Sequence, residues 1–227
     1  ESFNRVASHD LQEPLRKIQM FISRITDSDS SSFTEQQLQY IDKVKSSANR
    51  MQTLIKYLLS YSRLSKKKKD FVQVDLNLVL DKVQEDLEAP IRESGVEFIL
   101  GDLPEVRGIP FQIEQLFNNL ISNSIKYHSI LDTPKIEIEC EKMERNSIPD
   151  DFHKKAKEYY CISVKDNGIG FEQANAHKIF ELFQRLHQKN EYSGTGIGLA
   201  ICKKIVEKHK GHIAAYGLIN KGATFNI

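Results

Sequence analysis

Four stretches of the chain hold residue types whose spacing can do chemistry. The first is ASHDLQEPLRKI, Ala7 to Ile18, in which His9 and Asp10 stand side by side in an otherwise helical run. On a helical wheel His9 lies roughly 160 degrees from Leu11, a member of the apolar stripe, so its imidazole faces outward. By itself such a pair also reads as an ordinary surface histidine. Pro14 shifts the balance, because it cannot donate to the carbonyl of Asp10 and therefore loosens the helix beside the pair. An outward imidazole with an adjacent carboxylate makes a nucleophile with its orienter: the acid holds Nδ1 while Nε2 attacks.

The second stretch is FNNLISNSIKYH, Phe117 to His128. Ile113, Leu116, Phe117, Leu120, Ile121 and Ile125 form a buried helical stripe, with Asn119, Asn123 and Lys126 along its flank. Amides are poor helix formers, so two on one face read either as surface polarity or as a metal and phosphate face. An Asn carbonyl oxygen is a suitable hard ligand for Mg²⁺, and a Lys one turn on neutralises phosphate charge. The third, VKDNGIGF (Val164 to Phe171), ends a β-rich run at Asp166-Asn167-Gly168, where a simple turn between strands is the alternative. The fourth, SGTGIGLAICKKIVEKHKG (Ser193 to Gly211), leads three glycines, Gly194, Gly196 and Gly198, into a helix striped by Ile197, Ile201 and Ile205. Unobstructed backbone N–H groups at a helix start form a phosphate cradle. No GK[ST] follows and no dinucleotide-binding context precedes it.

These stretches need elements to hold them. Leu11, Leu15, Ile18, Ile22 and Ile25 mark a first helix, close to a coiled-coil seam. DSDSSSF (Asp27 to Phe33) is a turn, and Thr34 with Gln37 forms a capping box that opens a second helix running to about Leu64, roughly 45 Å at about 1.5 Å per residue. Two such helices do not close a core alone but two copies do, as a four-helix bundle, so a homodimer is expected. KKKKD (Lys66 to Asp70) reads as a solvated hinge, with nucleic-acid binding a poor second. Past it come an extended piece at Val72 to Val74, a helix from Leu76 to about Ser94, a strand from Val96 to Leu100 and a helix from Phe111 to Tyr127. Strands at Ile136 to Glu141 and Tyr159 to Val164 follow. A helix from about Gly196 to His209 and a terminal hairpin, Ile213 to Tyr216 with Ala223 to Ile227, complete an α+β sandwich. The polar segment Glu144 to Glu158 is an exposed insertion. The expected domains are residues 1–65, a linker at 66–70, and 71–227.

At 227 residues the chain has room for two modest domains, although one compact domain is possible. With 32 Lys+Arg against 31 Asp+Glu and a formal net charge of +1, no global field recruits nucleic acid or acidic lipid, so any anion site is local. Cys140, Cys161 and Cys202 lack metal-ligand spacing and obvious pairing, which fits a reducing, cytoplasmic compartment. No apolar run reaches the roughly 18 residues of a membrane span, and no signal-peptide pattern opens the chain. The start at Glu1, without Met, reads as a fragment of a longer protein.

In this order and spacing the motifs resemble the core of a sensor histidine kinase from a two-component system. SHDLQEPL resembles a HisKA phosphoacceptor box around His9, softly similar to those of phytochrome-like and hybrid bacterial kinases. Asn119 and Asn123 match the asparagine box, DNGIG and GTGIGLAI the two glycine boxes, and IFELFQRL (Ile179 to Leu186) the phenylalanine box. The resemblance spans essentially the whole chain. It implies a GHKL-type ATP-binding fold in which Asp166 accepts a hydrogen bond from the adenine amino group and Asn123 ligates Mg²⁺. Asn119, Lys126 and Tyr127 would lie near the phosphates. Gly168 and Gly170 would hinge a lid of about Phe171 to Thr195, which Phe180 and Phe183 pack, with Arg185 meeting phosphate. The N–H groups around Gly194, Thr195, Gly196 and Gly198 would close on the triphosphate. His9, oriented by Asp10, would take the γ-phosphoryl group and pass it to a response-regulator receiver domain.

Phosphoryl transfer asks mainly for positioning and charge neutralisation, which this inventory supplies. Two rivals remain: a dimerising scaffold without phosphorylation, and a related ATPase of the gyrase or chaperone kind, which the amide of Asn119 disfavours because it cannot act as a general base. Glu13 stands one turn from His9 where many family members carry Thr or Asn. A carboxylate there points to kinase activity over phosphatase activity.

Overall fold

The computed structural model describes residues 14–26, 33–64, 71–129, 132–144, 158–186 and 195–227. His9, Asp10, Glu13, Gly194, the lysine run and most of the Glu144 to Glu158 insertion lie outside the described residues. The chain divides into two compact units, Glu1–Lys66 and Lys67–Ile227.

In the first unit, helix α1 covers 14–26 and α2 covers Glu35–Leu64. The capping box forms: Thr34 N donates to Gln37 Oε1 at 2.8 Å, and Gln37 N to Thr34 Oγ1 at 3.3 Å. Leu15 and Ile22, two turns apart, are buried together with Ala48, whose small side chain lets the helices approach. Gln19 Nε2 joins the helices by donating to Asn49 Oδ1 at 2.5 Å and to Gln52 Oε1 at 3.3 Å. Ile18, Phe21, Ile25, Val44 and Met51 stay exposed, so the single hairpin covers only part of its apolar surface.

In the second unit, β1 (Val72–Asp75) leads into α3 (Leu76–Asp86), capped by the Asp75 carboxylate, which accepts from Asn77 N at 2.8 Å. The single helix expected over Leu76 to Ser94 is broken at Leu87, and α4 (Glu88–Ser94) begins anew. Pro90 explains the break: it has no N–H to return to Asp86, and its ring collides with that carbonyl. Strand β2 (Glu97–Leu100) follows, then β3 (Glu105–Gly108), which sequence patterning misses and which pairs antiparallel with β1. Helix α5 is Pro110–Lys126. Strands β4 (Lys135–Glu144) and β5 (Glu158–Asp166) run past their predicted ends. Helix α6 is Gly198–Lys208, with β6 (Ala214–Leu218) and β7 (Gly222–Asn226) last.

Five strands form one sheet in the order β2-β4-β5-β7-β6, antiparallel except for β2 with β4. Alternate residues Ile136 and Ile138, Ile162 and Val164 are buried, as a half-covered sheet requires. Phe117, Leu120 and Ile121 of α5 and Ile201 and Ile205 of α6 complete the core, with α5 packed between α3 and α6. His209, at the end of α6, ties that helix to the start of α5: its Nε2 accepts from Ile109 N at 3.0 Å, while its ring meets that of Phe71 at 5.0 Å between centroids.

Candidate functional site

The ends of β5 and α5 meet at an open cleft with room for about 110 Å³ of ligand or water. Its lining includes the polar residues Asn123, Tyr127, Asp166, Gln184 and Arg185 and the apolar residues Phe171, Ile179, Leu199 and Phe225. A hydrophobic slot with a few convergent polar groups is what a flat heteroaromatic ring with a polar edge requires.

Asp166, the last residue of β5, is the best-held group. Its Oδ1 accepts from Gly168 N at 2.9 Å and Ala223 N at 3.1 Å, and its Oδ2 from Ser124 Oγ at 3.1 Å. Burial pushes the carboxyl above the usual carboxylate range, and the three hydrogen bonds pull against that rise. The turn after it is clamped. A Cβ on Gly168 would run into the carbonyl oxygen of Tyr127, to which Ile169 N donates at 2.9 Å. Gly170, at φ +61°, presses on the carbonyl oxygens of Leu218 and Gly222, and Asn220 N donates to Ile169 O at 2.8 Å. These two glycines, expected as hinges, stand where only the absence of a side chain permits the backbone contact.

On α5, Asn123 reaches the cleft one turn before Tyr127. Asn119 does not line it: buried, it donates through Nδ2 to Gly198 O at 3.4 Å and so ties α5 to the start of α6. Lys126 Nζ donates to Tyr127 Oη at 2.8 Å and sits 4.2 Å from the centre of that ring. Helix α6 starts at Gly198, two residues later than predicted, without a side-chain cap among the described residues. Thr195 and Gly196 precede it, and Gly196, at φ +71°, backs onto the main chain of Phe183 and Gln184. Phe180 is buried as expected, whereas Phe183 is exposed and held at φ +65°, so it does not pack the segment.

Sequence reasoning missed Ser124, Ala223, Gln184 and Leu199. A hydroxyl standing in the apolar stripe of α5 was a signal for Ser124. Ala223 acts through its backbone, which residue type does not report. As for a metal, no group of three His, Cys, Asp or Glu among the described residues could hold one. The Asn123 carbonyl oxygen at the cleft fits Mg²⁺, provided that phosphate and water oxygens supply the remaining ligands.

Two family models match the chain: His Kinase A (phospho-acceptor) domain over residues 1–67, and histidine kinase-, DNA gyrase B-, and HSP90-like ATPase over residues 108–227. Cyanobacterial phytochrome A of Nostoc sp. is 36% identical over 225 residues, covering 99% of this chain and 28% of the relative. Sensor protein kinase WalK of Staphylococcus saprophyticus is 28% identical over 235 residues, covering 97% of this chain and 35% of the relative. The chain thus spans about a third or less of these curated relatives. Among solved structures, histidine kinase ThkA in complex with response regulator protein TrrA has a TM-score of 0.61 at 25% identity, covering 100% of this chain and 60% of that one. Full-length ShkA in complex with AMPPNP shares the fold, with a TM-score of 0.70 at 20% identity over 99% of this chain and 44% of that one. With its motifs, its sheet and both family domains in agreement, the chain belongs to the protein histidine kinases, as a phosphoacceptor domain followed by a GHKL-type ATPase domain.

Proposed function

We propose that the chain is an ATP-dependent histidine autokinase that phosphorylates His9 and passes the phosphoryl group to an aspartate of a response-regulator receiver domain. The observation that supports this most directly is the cleft wall that sets the Asp166 carboxylate and the Asn123 amide in one pocket. Asp166 accepts the adenine amino group, and the apolar lining takes the ring faces. Asn123 holds Mg²⁺, which when bound neutralises phosphate charge and orients the triphosphate. Lys126, Tyr127 and Arg185 serve the phosphate end with the N–H groups of Gly194, Thr195, Gly196 and Gly198. Asn119 works from behind by fixing the first turn of α6.

His9 Nε2 forms the N–P bond as the bond from the γ-phosphorus to the bridging oxygen breaks, and ADP leaves with that electron pair. Asp10 orients Nδ1 and takes up its proton. We assign residues 1–65 to a dimerising hairpin, 66–70 to the linker and 71–227 to the catalytic domain, with the exposed apolar stripes of α1 and α2 joining two copies in a bundle. No helix among the described residues is long and apolar enough to cross a membrane. We place this part of the protein in the cytoplasm, where ATP and receiver domains are found, and assign it no nucleic-acid partner.

Incubation with MgATP labelled at the γ-phosphate tests the proposal. Acid-labile, alkali-stable label on the protein, absent from His9→Gln, is the expected result. Label released only as inorganic phosphate would make the chain an ATPase, and undiminished label in His9→Gln would move the acceptor elsewhere.

A further inference from the structure

We infer that Ser124 determines which base the cleft accepts, by holding Asp166 as a hydrogen-bond acceptor with a single open position that suits the amino group of adenine and rejects a 6-oxopurine. This rests on the nucleotide-binding reading above and extends it to a residue outside the motif positions.

Ser124 is 4% exposed, in the buried stripe of α5. Burying a hydroxyl costs free energy unless its proton finds a partner. Two acceptors lie in reach, the Leu120 carbonyl of its own helix at 3.3 Å and Asp166 Oδ2 at 3.1 Å. The carboxylate is both nearer and the stronger acceptor, so the proton goes to it.

An ionised carboxylate offers about four lone-pair positions. Gly168 N and Ala223 N fill two on Oδ1, and Ser124 Oγ fills one on Oδ2. One position on Oδ2 is left, on a group that lines the cleft. A ligand N–H completes the set. A ligand carbonyl would bring lone pair against lone pair in a partly buried site, which is the arrangement that discriminates most strongly between otherwise similar ligands. The two backbone donors fix Oδ1, and Ser124 is the one side chain among the described residues that fixes Oδ2. Without it the carboxyl group can turn or relax, and the penalty against an oxo group falls.

The test is calorimetric titration of the full chain with MgADP and with the magnesium salt of inosine diphosphate, which carries oxygen where adenine has its amino group. The variants are Ser124→Ala and Ser124→Thr, the second of which keeps a hydroxyl. The wild type is expected to prefer ADP. In Ser124→Ala the ratio of the two affinities should shrink roughly five- to tenfold, as for one hydrogen bond to a charged group. Ser124→Thr should keep the wild-type ratio. Because both nucleotides report on the same folded fraction, partial unfolding does not change the ratio. A wild type that prefers ADP together with an unchanged ratio in Ser124→Ala overturns the role of Ser124 and leaves the nucleotide reading standing. A wild type that binds both nucleotides alike overturns the role of Ser124 in base choice, and one that binds neither overturns the nucleotide reading as well.

Discussion

The Nε2 atom of His209 accepts a hydrogen bond from the backbone amide of Ile109, while its Nδ1 lies 2.8 Å from the carbonyl oxygen of Ile205. One ring thus receives a proton on one side and gives one on the other, which is possible only for the neutral tautomer protonated at Nδ1.

Burial holds the His209 pKa below its ordinary value, with Lys208 pushing the same way and the bond to Ile205 opposing. A depressed histidine stabilises the fold fully above its unfolded value of about 6.5, and that contribution is lost as the pH falls from there through the folded value. Urea midpoints should therefore drop between pH 7 and pH 5. In His209→Gln, which keeps an acceptor for Ile109 but takes up no proton, the drop should be smaller. Parallel pH profiles for the two proteins would show that the folded ring takes up its proton as readily as the unfolded chain does, and would overturn the depressed pKa.

Asn123 and Asp166 should separate metal from base. Asn123→Ala is expected to lose at least about tenfold in affinity for MgADP while binding metal-free ADP nearly as the wild type does. Asp166→Asn should weaken binding with or without metal, because it places an N–H₂ where an acceptor is needed. Calorimetry with Mg²⁺ and with EDTA reads both, and a metal-independent loss in Asn123→Ala would remove that residue from the metal site.

Phe21 is 54% exposed beside Ile18 and Ile25 on a helix that buries only Leu15 and Ile22 within its hairpin. A dimer is expected at micromolar concentration, and Phe21→Glu should shift it to monomer, since a charge in a bundle seam is left without water or partner. A fragment starting at Asp70 should be monomeric and still bind nucleotide. Light scattering decides both cases.

Gly170→Ala should destabilise the second domain by at least about 2 kcal/mol, from the left-handed backbone and from the Cβ forced against the Leu218 carbonyl. Gly95 shares the left-handed φ but has nothing near its missing Cβ. Gly95→Ala is therefore expected to cost less, and equal shifts in melting temperature would refute the packing argument.

Much of this was legible in the chain because the same residues that carry chemistry also carry pattern. The stripe from Ile113 to Ile125 places the flank of α5, and the end of the β-rich run places Asp166. What was not legible depends on partners distant in sequence. Glu105 to Gly108 has no apolar alternation, and becomes a strand because β1 offers it an edge. Pro90 is visible in the sequence, yet the helical pattern on either side of it reads as one helix, whereas the chain breaks at Leu87. Asn119 reads as a site residue by type, whereas its amide is used on Gly198. Phe183 reads as core, and its backbone turns it outward.

The donation from Ala223 to Asp166 bridges 57 residues, and β7 lies inside the sheet, between β5 and β6. On the ribosome, where the N-terminal part of a chain emerges first, α5 and β5 exist long before β7 does. The carboxylate then lacks a wall of its pocket and one of its donors. The Asp166 pocket is thus among the last parts of this domain to be completed during synthesis, and a nascent chain shorter than Ala223 carries the motifs without that pocket wall.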